Sequence, residues 1–294
     1  MRTARLLAVV ALLASTAPGF PDSDPAYRAS IEEWRRGREA RLKADDGWLT
    51  VAGLFWLKEG ANSAGSGASN GIVLPREAAP ERIGSFVLKN GKTVFLAERG
   101  VPVTSRGKTV GTLEMKPDTS GNPDVIAISS LSMHVIQRGK RCGIRLRDKN
   151  SRFRREFTRL LWFPVNESYR INARFVPYNP ARKIAIPNVL GDIETETSPG
   201  YVVFTVDSVE CRLEPVSEGD QLWFIFRDLT GAKETYPAGR FLYADPPKDG
   251  KVVLDFNKAY NPPCAFTPYA TCPLPPPPNR LQVRIPAGEM RYHE

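Results

Sequence analysis

The order of apolar and polar positions predicts one long helix near the start of the chain. Within residues 18–47, the side chains that share one helical face are Tyr27, Ile31, Trp34, Arg38 and Leu42. Asp24 suits the N-cap, Pro25 suits the first helical position, and Gly47 ends the pattern. Because acidic residues interrupt the basic face, we expect this helix to pack across the outside of a β core and not on a membrane surface.

Short β-rich runs replace the helical pattern from Trp48 onwards. The runs S-F-V-L-K and K-T-V-F-L flank the dipeptide Asn90-Gly91, which is typical of a two-residue hairpin turn. Further short runs follow at similar spacing. This pattern predicts a small β-sandwich over residues 48–120.

The rest of the chain continues as short strands bounded by turn residues. Ile144 and Leu146 alternate with Arg145 and Arg147, as expected for a strand with one buried face. The chain has no βαβ alternation, no phosphate loop and no G-x-S-x-G motif. We therefore predict a larger antiparallel unit over residues 121–294. The predicted fold is mainly β, with two adjoining antiparallel sandwich- or barrel-like units, one N-terminal amphipathic helix and no cofactor.

Residues 1–17 have the pattern of a secretory signal peptide. A basic start at Arg2 and Arg5 precedes an apolar core and a small-residue exit. The apolar core is too short to cross a bilayer as a helix. We predict cleavage near Ala17, a secreted or periplasmic protein, and no transmembrane segment.

Four cysteines are compatible with two disulfides in an oxidising compartment, in any of three connectivities. Cys264 and Cys272 are the nearest pair in sequence, and we predict a disulfide between them. A zinc site would require closer cysteine pairs or histidines, and the chain has only two histidines. We therefore predict no metal site.

The chain carries a formal net charge of +9, and much of it is concentrated in residues 138–159. This stretch holds ten Lys or Arg against two carboxylates. It is compatible with a patch for polyanions or phosphate, and also with a solvated face that keeps the protein soluble. We favour the solvated face and expect no nucleic-acid partner, because no nucleic-acid-binding motif accompanies the charges.

The segment Asp255–Leu281 is rich in proline, which fixes its path and reduces the entropy that it loses on folding. Such a segment is suited to present side chains. The polar groups that we expect to bind a ligand are those of Arg145, Asp148, Arg240, Asp255, Asn257 and Asn261.

Two functions are compatible with these residues. We favour a non-catalytic protein that binds a ligand or partner near residues 255–281, with an anionic small molecule as the expected ligand. The alternative is a cofactor-free hydrolase or isomerase of such an anion, in which Asp255 is the general base beside Arg240 and Arg145, and Glu289 contributes an acid. In a purely structural interpretation, Asp255 and Arg240 form one buried pair. A Cys264 nucleophile would lack an adjacent base.

Several motifs resemble one family. These are G-L-F-W-L-K-E-G, R-L-R-D, G-R-F-L, D-F-N-x-A-Y-N-P-P-C-A and C-P-L-P-P. In these motifs the chain resembles the bacterial and archaeal family known as domain of unknown function 1684. The resemblance implies no activity and no catalytic residue.

The start of the first β unit is also similar to a forkhead-associated domain, a sandwich that binds phosphothreonine. The similarity lies in a hydrophobic strand, the run E-G-A-N, a small loop and the run I-V-L. Gly65 and Ser66 stand where that family has an arginine after the glycine. The similarity therefore implies the sandwich shape and not phosphopeptide binding.

Overall fold

The computed structural model describes residues 24–292, so the predicted signal peptide lies outside the described residues. The fold is mainly β, as predicted, with several antiparallel sheets and one long N-terminal helix. In the described residues the α-helices are α1 (Pro25–Lys43) and the short α2 (Arg152–Glu156), and no sheet closes into a barrel.

The first half of the chain forms two sheets. Its strands are β1 (Val51–Trp56), β2 (Gly60–Gly65), β3 (Ile72–Val73), β4 (Gly84–Lys89), β5 (Lys92–Ala97), β6 (Thr104–Ser105), β7 (Lys108–Thr109), β8 (Thr112–Met115), β9 (Val125–Ile128), β10 (Leu131–Arg138) and β11 (Arg141–Asp148). One sheet has the order β3-β2-β4-β5-β8 and the other the order β1-β11-β10-β9-β6-β7. A shared core that includes Phe86, Phe95 and Ile144 joins them.

The hairpin predicted at Asn90-Gly91 joins β4 to β5. Both residues have positive φ, at 53° and 77°, which is the backbone of a type I′ turn. The turn fixes the register so that Phe86 faces Phe95 across the pair, with ring centroids 5.0 Å apart. Turn chemistry and apolar alternation therefore specify the same pairing.

The sheet that contains β1 also contains strands that follow residue 120. Strands β9, β10 and β11, between residues 125 and 148, pair with β1 and β6. The strands of the first two sheets thus end at residue 148, and those of the other two begin at residue 170. Strand β1 has its hydrogen-bonding partner in β11, about ninety residues later, a pairing that local patterns do not encode.

The second half also forms two sheets. Its strands are β12 (Arg170–Pro187), β13 (Ile193–Val206), β14 (Val209–Leu213), β15 (Val216–Glu218), β16 (Gln221–Phe226), β17 (Arg240–Ala244) and β18 (Lys251–Asp255). The orders are β14-β13-β12-β18 and β15-β16-β17. A second core, with Phe224, Phe226 and Phe256 at its centre, lies between them.

The tip of the β12–β13 hairpin ties the two units together. The amide of Val189 donates to the carbonyl of Cys272 at 3.0 Å, and the amide of Leu274 donates to the carbonyl of Pro187 at 2.7 Å. Asp192 forms an ion pair with Arg141 at the start of β11. The tip therefore holds the C-terminal segment against the first unit.

Helix α1 begins as predicted, because the side chain of Asp24 accepts a hydrogen bond from the amide of Ala26 at 3.0 Å. Its buried positions are Ile31, Arg35, Arg38 and Leu42. Arg35 donates through Nη2 to the carbonyl of Phe163 at 2.9 Å. The helix thus packs on the rest of the protein through apolar residues and two buried guanidinium groups. None of the helices within residues 24–292 combines the length and apolar character needed to cross a membrane.

Candidate anion-binding site

The segment Asp255–Leu281 is anchored along its length by hydrogen bonds. Asn279 donates to the carbonyls of Glu214 and Ile225, both at 2.9 Å, and accepts from the amide of Glu214 at 2.7 Å. The hydroxyl of Thr267 donates to the carbonyl of Val51 at 3.0 Å, which joins the segment to the first unit. These bonds satisfy backbone groups that no ladder reaches, so the segment holds one fixed path.

One side of this segment faces a cavity of about 440 Å³. The residues that define it are Arg38, Trp48, Arg138, Arg145, Tyr260 and Cys272, and we call it the arginine cavity. Its lining also includes one carboxylate, Glu218, which accepts a hydrogen bond from the hydroxyl of Tyr243 at 2.6 Å. The defining residues come from α1, the start of the first unit, β10, β11 and the C-terminal segment. The cavity therefore exists only where the helix and both β units meet, and its volume is typical of a small-molecule site.

Arg145 is the central feature of the arginine cavity. It lies on β11, a strand paired on both sides, and only 4% of it is exposed. Its guanidinium carbon lies 5.0 Å from the centre of the Trp48 ring. Within the described residues, neither Nε nor Nη2 has a hydrogen-bond partner. Burial lowers the pKa of Arg145 to about 10, and the positive charge of Arg138 adds to this effect.

The two other arginines of the cavity are held in place by protein groups. Arg138 donates through Nε to the hydroxyl of Thr271 at 3.0 Å and through Nη1 to Asp118 at 2.7 Å. Arg38 donates through Nη2 to the carbonyl of Asn261 at 3.0 Å, and its guanidinium carbon lies 4.5 Å from the centre of the Tyr260 ring. Both side chains are oriented before any ligand binds.

Aromatic rings form the opposite wall. The rings of Trp223 and Tyr243 stack with centroids 6.1 Å apart, and those of Tyr243 and Tyr260 stack at 6.4 Å. Trp223 lines the cavity, and its buried Nε1 has no hydrogen-bond partner in the part of the chain that the structure describes. A second donor without a partner thus lies beside a flat apolar surface.

Asp255 and Asn257, two of the predicted ligand-binding residues, are engaged with the protein itself. Asp255 accepts from the hydroxyl of Tyr27 at 2.9 Å and from the amide of Asn257 at 3.2 Å. Asn257 is fully buried and donates to the carbonyl of Asn166 at 2.8 Å. Burial and Asp255 together raise the pKa of Tyr27. This network fastens the start of α1 to the start of the C-terminal segment.

Asn261 and Glu289 lie behind the arginine cavity. Asn261 donates through Nδ2 to the carbonyl of Met290 at 2.7 Å. Glu289 is completely buried and pairs with Arg38 at 3.4 Å. Burial raises the pKa of Glu289 to about 7, against the opposing effect of Arg38. Because no part of Glu289 is exposed, its contact with the cavity is indirect, through Arg38.

Arg240 is separated from Arg145. It forms an ion pair with Asp228, in which the two side chains are 1% and 0% exposed, and donates to the carbonyls of Ala287 and Ile285. Arg240 therefore pairs with Asp228 and not with Asp255. The three residues of the hydrolase or isomerase hypothesis, Asp255, Arg240 and Arg145, lie in three different environments.

Asp148 lies at the far end of β11 from the arginine cavity. It accepts from the hydroxyl of Ser130 at 2.7 Å and from the amide of Asn150 at 2.8 Å. Both bonds stabilise the turns on either side of it. Of the six predicted ligand-binding residues, the structure thus places Arg145 directly on the arginine cavity, and Asn261 supports its wall.

The comparison with known families bears on the C-terminal half of this arrangement. Residues 155–290 match the family described as protein of unknown function (DUF1684). This part of the chain belongs to the DUF1684 family. The motifs D-F-N-x-A-Y-N-P-P-C-A and C-P-L-P-P both lie within it.

Structural comparisons match parts of the chain. The solution NMR structure of an uncharacterized protein from gene locus rrnAC0354 of Haloarcula marismortui is 28% identical, covers 47% of this chain and 78% of its own, and has a TM-score of 0.40. A forkhead-associated domain from an analysis of phosphothreonine-dependent interactions is 16% identical, covering 32% of this chain and 92% of its own at a TM-score of 0.23. The FhaA forkhead-associated domain complexed with the intracellular domain of Rv3910 is 16% identical. It covers 32% of this chain and 97% of its own, and has a TM-score of 0.23. No curated protein matches the chain.

The arginine cavity is built from both inside and outside the DUF1684 region. That region supplies the aromatic wall of Trp223, Tyr243 and Tyr260. Arg145 and Arg138 come from the strands that precede it. The cavity therefore combines a DUF1684 surface with cationic groups from the first unit.

Cys264 and Cys272 of the DUF1684 region are neighbouring thiols in the structure, and not a disulfide. The amide of Cys264 donates to Sγ of Cys272 at 3.2 Å. A hydrogen bond between the thiols lowers the pKa of Cys264, and the same bond together with burial raises that of Cys272. The pair lies beside the cavity, because Cys272 forms part of its wall.

Most of the residues that define the arginine cavity were not among the predicted ligand-binding residues. Arg38 carried a detectable signal, since a charged residue stood on the predicted apolar face of α1. Arg145 was assigned to the solvent side of its strand, yet both Ile144 and Arg145 are buried, because β11 is covered on both faces. The basic stretch 138–159 is therefore not one solvated face. Trp223 and Tyr243 carried no signal beyond their hydrophobicity.

Proposed function

We propose that this protein binds an anionic small molecule in the arginine cavity, with the anionic group on Arg145 and a ring or other flat part against the aromatic wall. The proposal retains the expectation of a ligand-binding protein with its site beside residues 255–281. Ligand binding requires only side chains that recognise the ligand. Helix α1 and both β units contribute such side chains to the cavity.

The proposal depends on Nε and Nη2 of Arg145, two buried donors that have no hydrogen-bond partner among residues 24–292. A buried charge without a partner is costly, and protein interiors almost always provide one. Within the described residues Arg145 contacts the Trp48 ring and forms no ion pair, and the nearby carboxylate of Asp118, which partly offsets the effect of burial on its pKa, is paired with Arg138. The buried charge therefore lowers stability, and a bound anion would remove this cost. Guanidinium groups bind carboxylate and phosphate through paired hydrogen bonds, and Nε with Nη2 is one such pair of donors.

The aromatic wall supports the second half of the proposal. Trp223, Tyr243 and Tyr260 present flat apolar surface, and the buried Nε1 of Trp223 has no hydrogen-bond partner in the described part of the chain. Aromatic surface with a few oriented polar groups is typical of sites for small molecules. A ring attached to a phosphate or carboxylate satisfies both parts of the cavity.

Calorimetric titration with simple probes tests this function. We expect glucose 6-phosphate and phenyl phosphate to bind the protein comprising residues 18–294, and neutral glucose and phenol to bind at least about tenfold more weakly. Arg145→Met should abolish binding of both phosphates while the protein stays folded. Binding that is equal for charged and neutral probes, or unchanged in Arg145→Met, would contradict the proposal.

A matched control distinguishes the effect of the charge on Arg145 from the effect of the net positive charge of the protein. Arg152 lies on α2 with an exposed side chain, and Arg152→Met changes the net charge by the same amount. We expect this variant to bind both phosphates as the wild type does. Equal losses in Arg145→Met and Arg152→Met would indicate non-specific attraction by a basic protein.

We also propose that residues 1–17 direct export and are removed, and that Cys264 and Cys272 are oxidised to a disulfide in the extracytoplasmic compartment. The basic start and apolar core support the first part, and the adjacency of the two thiols supports the second. Mass spectrometry of the protein from the periplasmic and extracellular fractions tests both. A retained N-terminus found only in the cytoplasm would refute export.

A further inference from the structure

A second cavity adjoins the arginine cavity. Its volume is about 780 Å³, and it shares Arg38, Tyr243 and Tyr260 with the first. These three residues line both spaces, so the two cavities are neighbours that share part of their lining. We call this second space the basic cavity.

Positive charge dominates the basic cavity. Its cationic residues are Arg38, Arg41, Arg170, Lys248, Lys251 and Lys258, against the carboxylates Asp245 and Asp255. They come from α1, from β12, from the turn before β18 with the first residue of that strand, and from the turn after it, so four separate parts of the chain place cations around one space. Such convergence concentrates anions within the space.

Two of these cations have a carboxylate partner, Arg38 in Glu289 and Lys258 in Asp255, and within residues 24–292 the other four form no ion pair. Asp255 already accepts hydrogen bonds from Tyr27 and Asn257, and its nearest cation is Lys258 at 3.9 Å. Among residues 24–292, no carboxylate lies within ion-pair distance of Lys248 or Lys251. The excess charge is therefore available to a ligand.

We infer that the ligand is an elongated anion with negative groups at both ends and a ring between them. One group lies on Arg145, the ring lies along Tyr243 and Tyr260, and the second group lies among Lys248, Lys251 and Arg170. This inference rests on the proposed function and specifies its ligand class. Phosphate esters and carboxylated sugars share this chemistry.

Two probe series distinguish the sources and test the inference by calorimetry. One compares glucose 1,6-bisphosphate with glucose 6-phosphate, and the other compares trigalacturonate with galacturonate. We expect the longer anion of at least one series to bind about tenfold or more tightly than its shorter partner. The series with the greater preference identifies the source as phosphate or carboxylate.

A charge-matched pair of variants locates the second group. In Lys248→Gln/Lys251→Gln, the longer anion should lose about tenfold in affinity and the shorter anion should change less than about twofold. Lys58→Gln/Lys108→Gln removes two exposed charges from the first unit and should change neither. Equal effects of the two variants would overturn the inference.

Failure of this inference differs from failure of the proposed function. Suppose that both members of a series bind equally, lose affinity in Arg145→Met and keep their affinity in Lys248→Gln/Lys251→Gln. The arginine cavity then binds anions, and the second subsite does not exist. If no member of either series binds, and phenyl phosphate does not bind, both proposals fail. If the wild type prefers the longer anion and Lys248→Gln/Lys251→Gln loses that preference, the result supports both the proposed function and the second subsite.

Discussion

Arg240 and Asp228 form an ion pair in which both side chains are excluded from solvent. Arg240 also donates to the carbonyls of Ala287 and Ile285, so the pair ties β17 to the C-terminal residues. Arg145 is buried to a similar degree but has no hydrogen-bond partner for Nε and Nη2 within the described residues. The same residue type thus stabilises the fold at one position and is left available at the other.

This contrast predicts opposite effects on stability. Arg145→Met removes a buried charge that lacks a counterion, so we expect the free energy of unfolding to stay constant or to rise by roughly 1–3 kcal/mol. Arg240→Met leaves Asp228 buried without its partner, so we expect a loss of roughly 3–5 kcal/mol. Urea denaturation of both variants beside the wild type measures the two changes.

The double variant Arg240→Met/Asp228→Leu is the control for the loss of stability expected in Arg240→Met. Because it removes both charges, it should recover part of the stability that Arg240→Met loses. A marked loss of stability in Arg145→Met would mean that Arg145 serves the fold, and the basis of the proposed function would be gone.

The sequence predicted the fold class because the signals for it are local. Asp24 and Pro25 mark the start of α1, and Asn90-Gly91 marks the β4–β5 turn, each through the backbone conformation that it favours. The pairing of β1 with β11 was not predicted, because long-range pairing leaves no local mark.

The candidate site was less accessible to sequence analysis, for a related reason. Arg145 and Trp223 meet across two sheets, and nothing in either strand indicates the other. Polar residues in the segment Asp255–Leu281 were predicted to bind a ligand. In the structure, Asn257 and Asn279 instead donate hydrogen bonds to backbone carbonyls of the protein. The polar residues of this proline-rich segment therefore mark the residues that hold the site in place more than the residues that line it.

Asp255 predicts a stability effect of its own. Asp255→Ala removes the acceptor for Tyr27 and for the amide of Asn257, so we expect a loss of roughly 1–3 kcal/mol and a melting temperature lower by several degrees. Asp255→Asn keeps an acceptor oxygen and should lose much less. Calorimetric melting of both variants measures the difference. An unchanged melting temperature in Asp255→Ala, together with weaker binding of glucose 1,6-bisphosphate, would instead place Asp255 in a binding role.

Glu289 predicts a pH dependence of stability. Its pKa is about 7 in the folded protein and near 4.5 when unfolded, so the folded state holds the proton more tightly. This contribution is fully present below pH 4.5 and is lost as the pH rises through 7, by an amount on the order of 3 kcal/mol. We expect Glu289→Gln to lose less stability than the wild type over that interval.

Urea denaturation at several pH values measures this effect as the difference between variant and wild type. The difference is required because His134 contributes with the opposite sign. Burial, with Arg145 nearby, lowers the pKa of His134 to about 4, so its protonation destabilises the fold as the pH falls from 6.5 towards 4. Parallel stability curves for Glu289→Gln and wild type would show that Glu289 stays ionised beside Arg38.

The adjacent thiols of Cys264 and Cys272 predict a redox dependence of stability. A disulfide between them closes a short loop and should stabilise the oxidised protein by about 2.5 kcal/mol in the chain-entropy treatment. We expect dithiothreitol to lower the melting temperature of protein purified from an oxidising compartment, and to leave that of Cys264→Ser/Cys272→Ser unchanged. Cys142 and Cys211 remain in this variant, so it also isolates the effect of the pair. Labelling of both Cys264 and Cys272 by a thiol reagent in the unreduced, unfolded protein would rule out the bond.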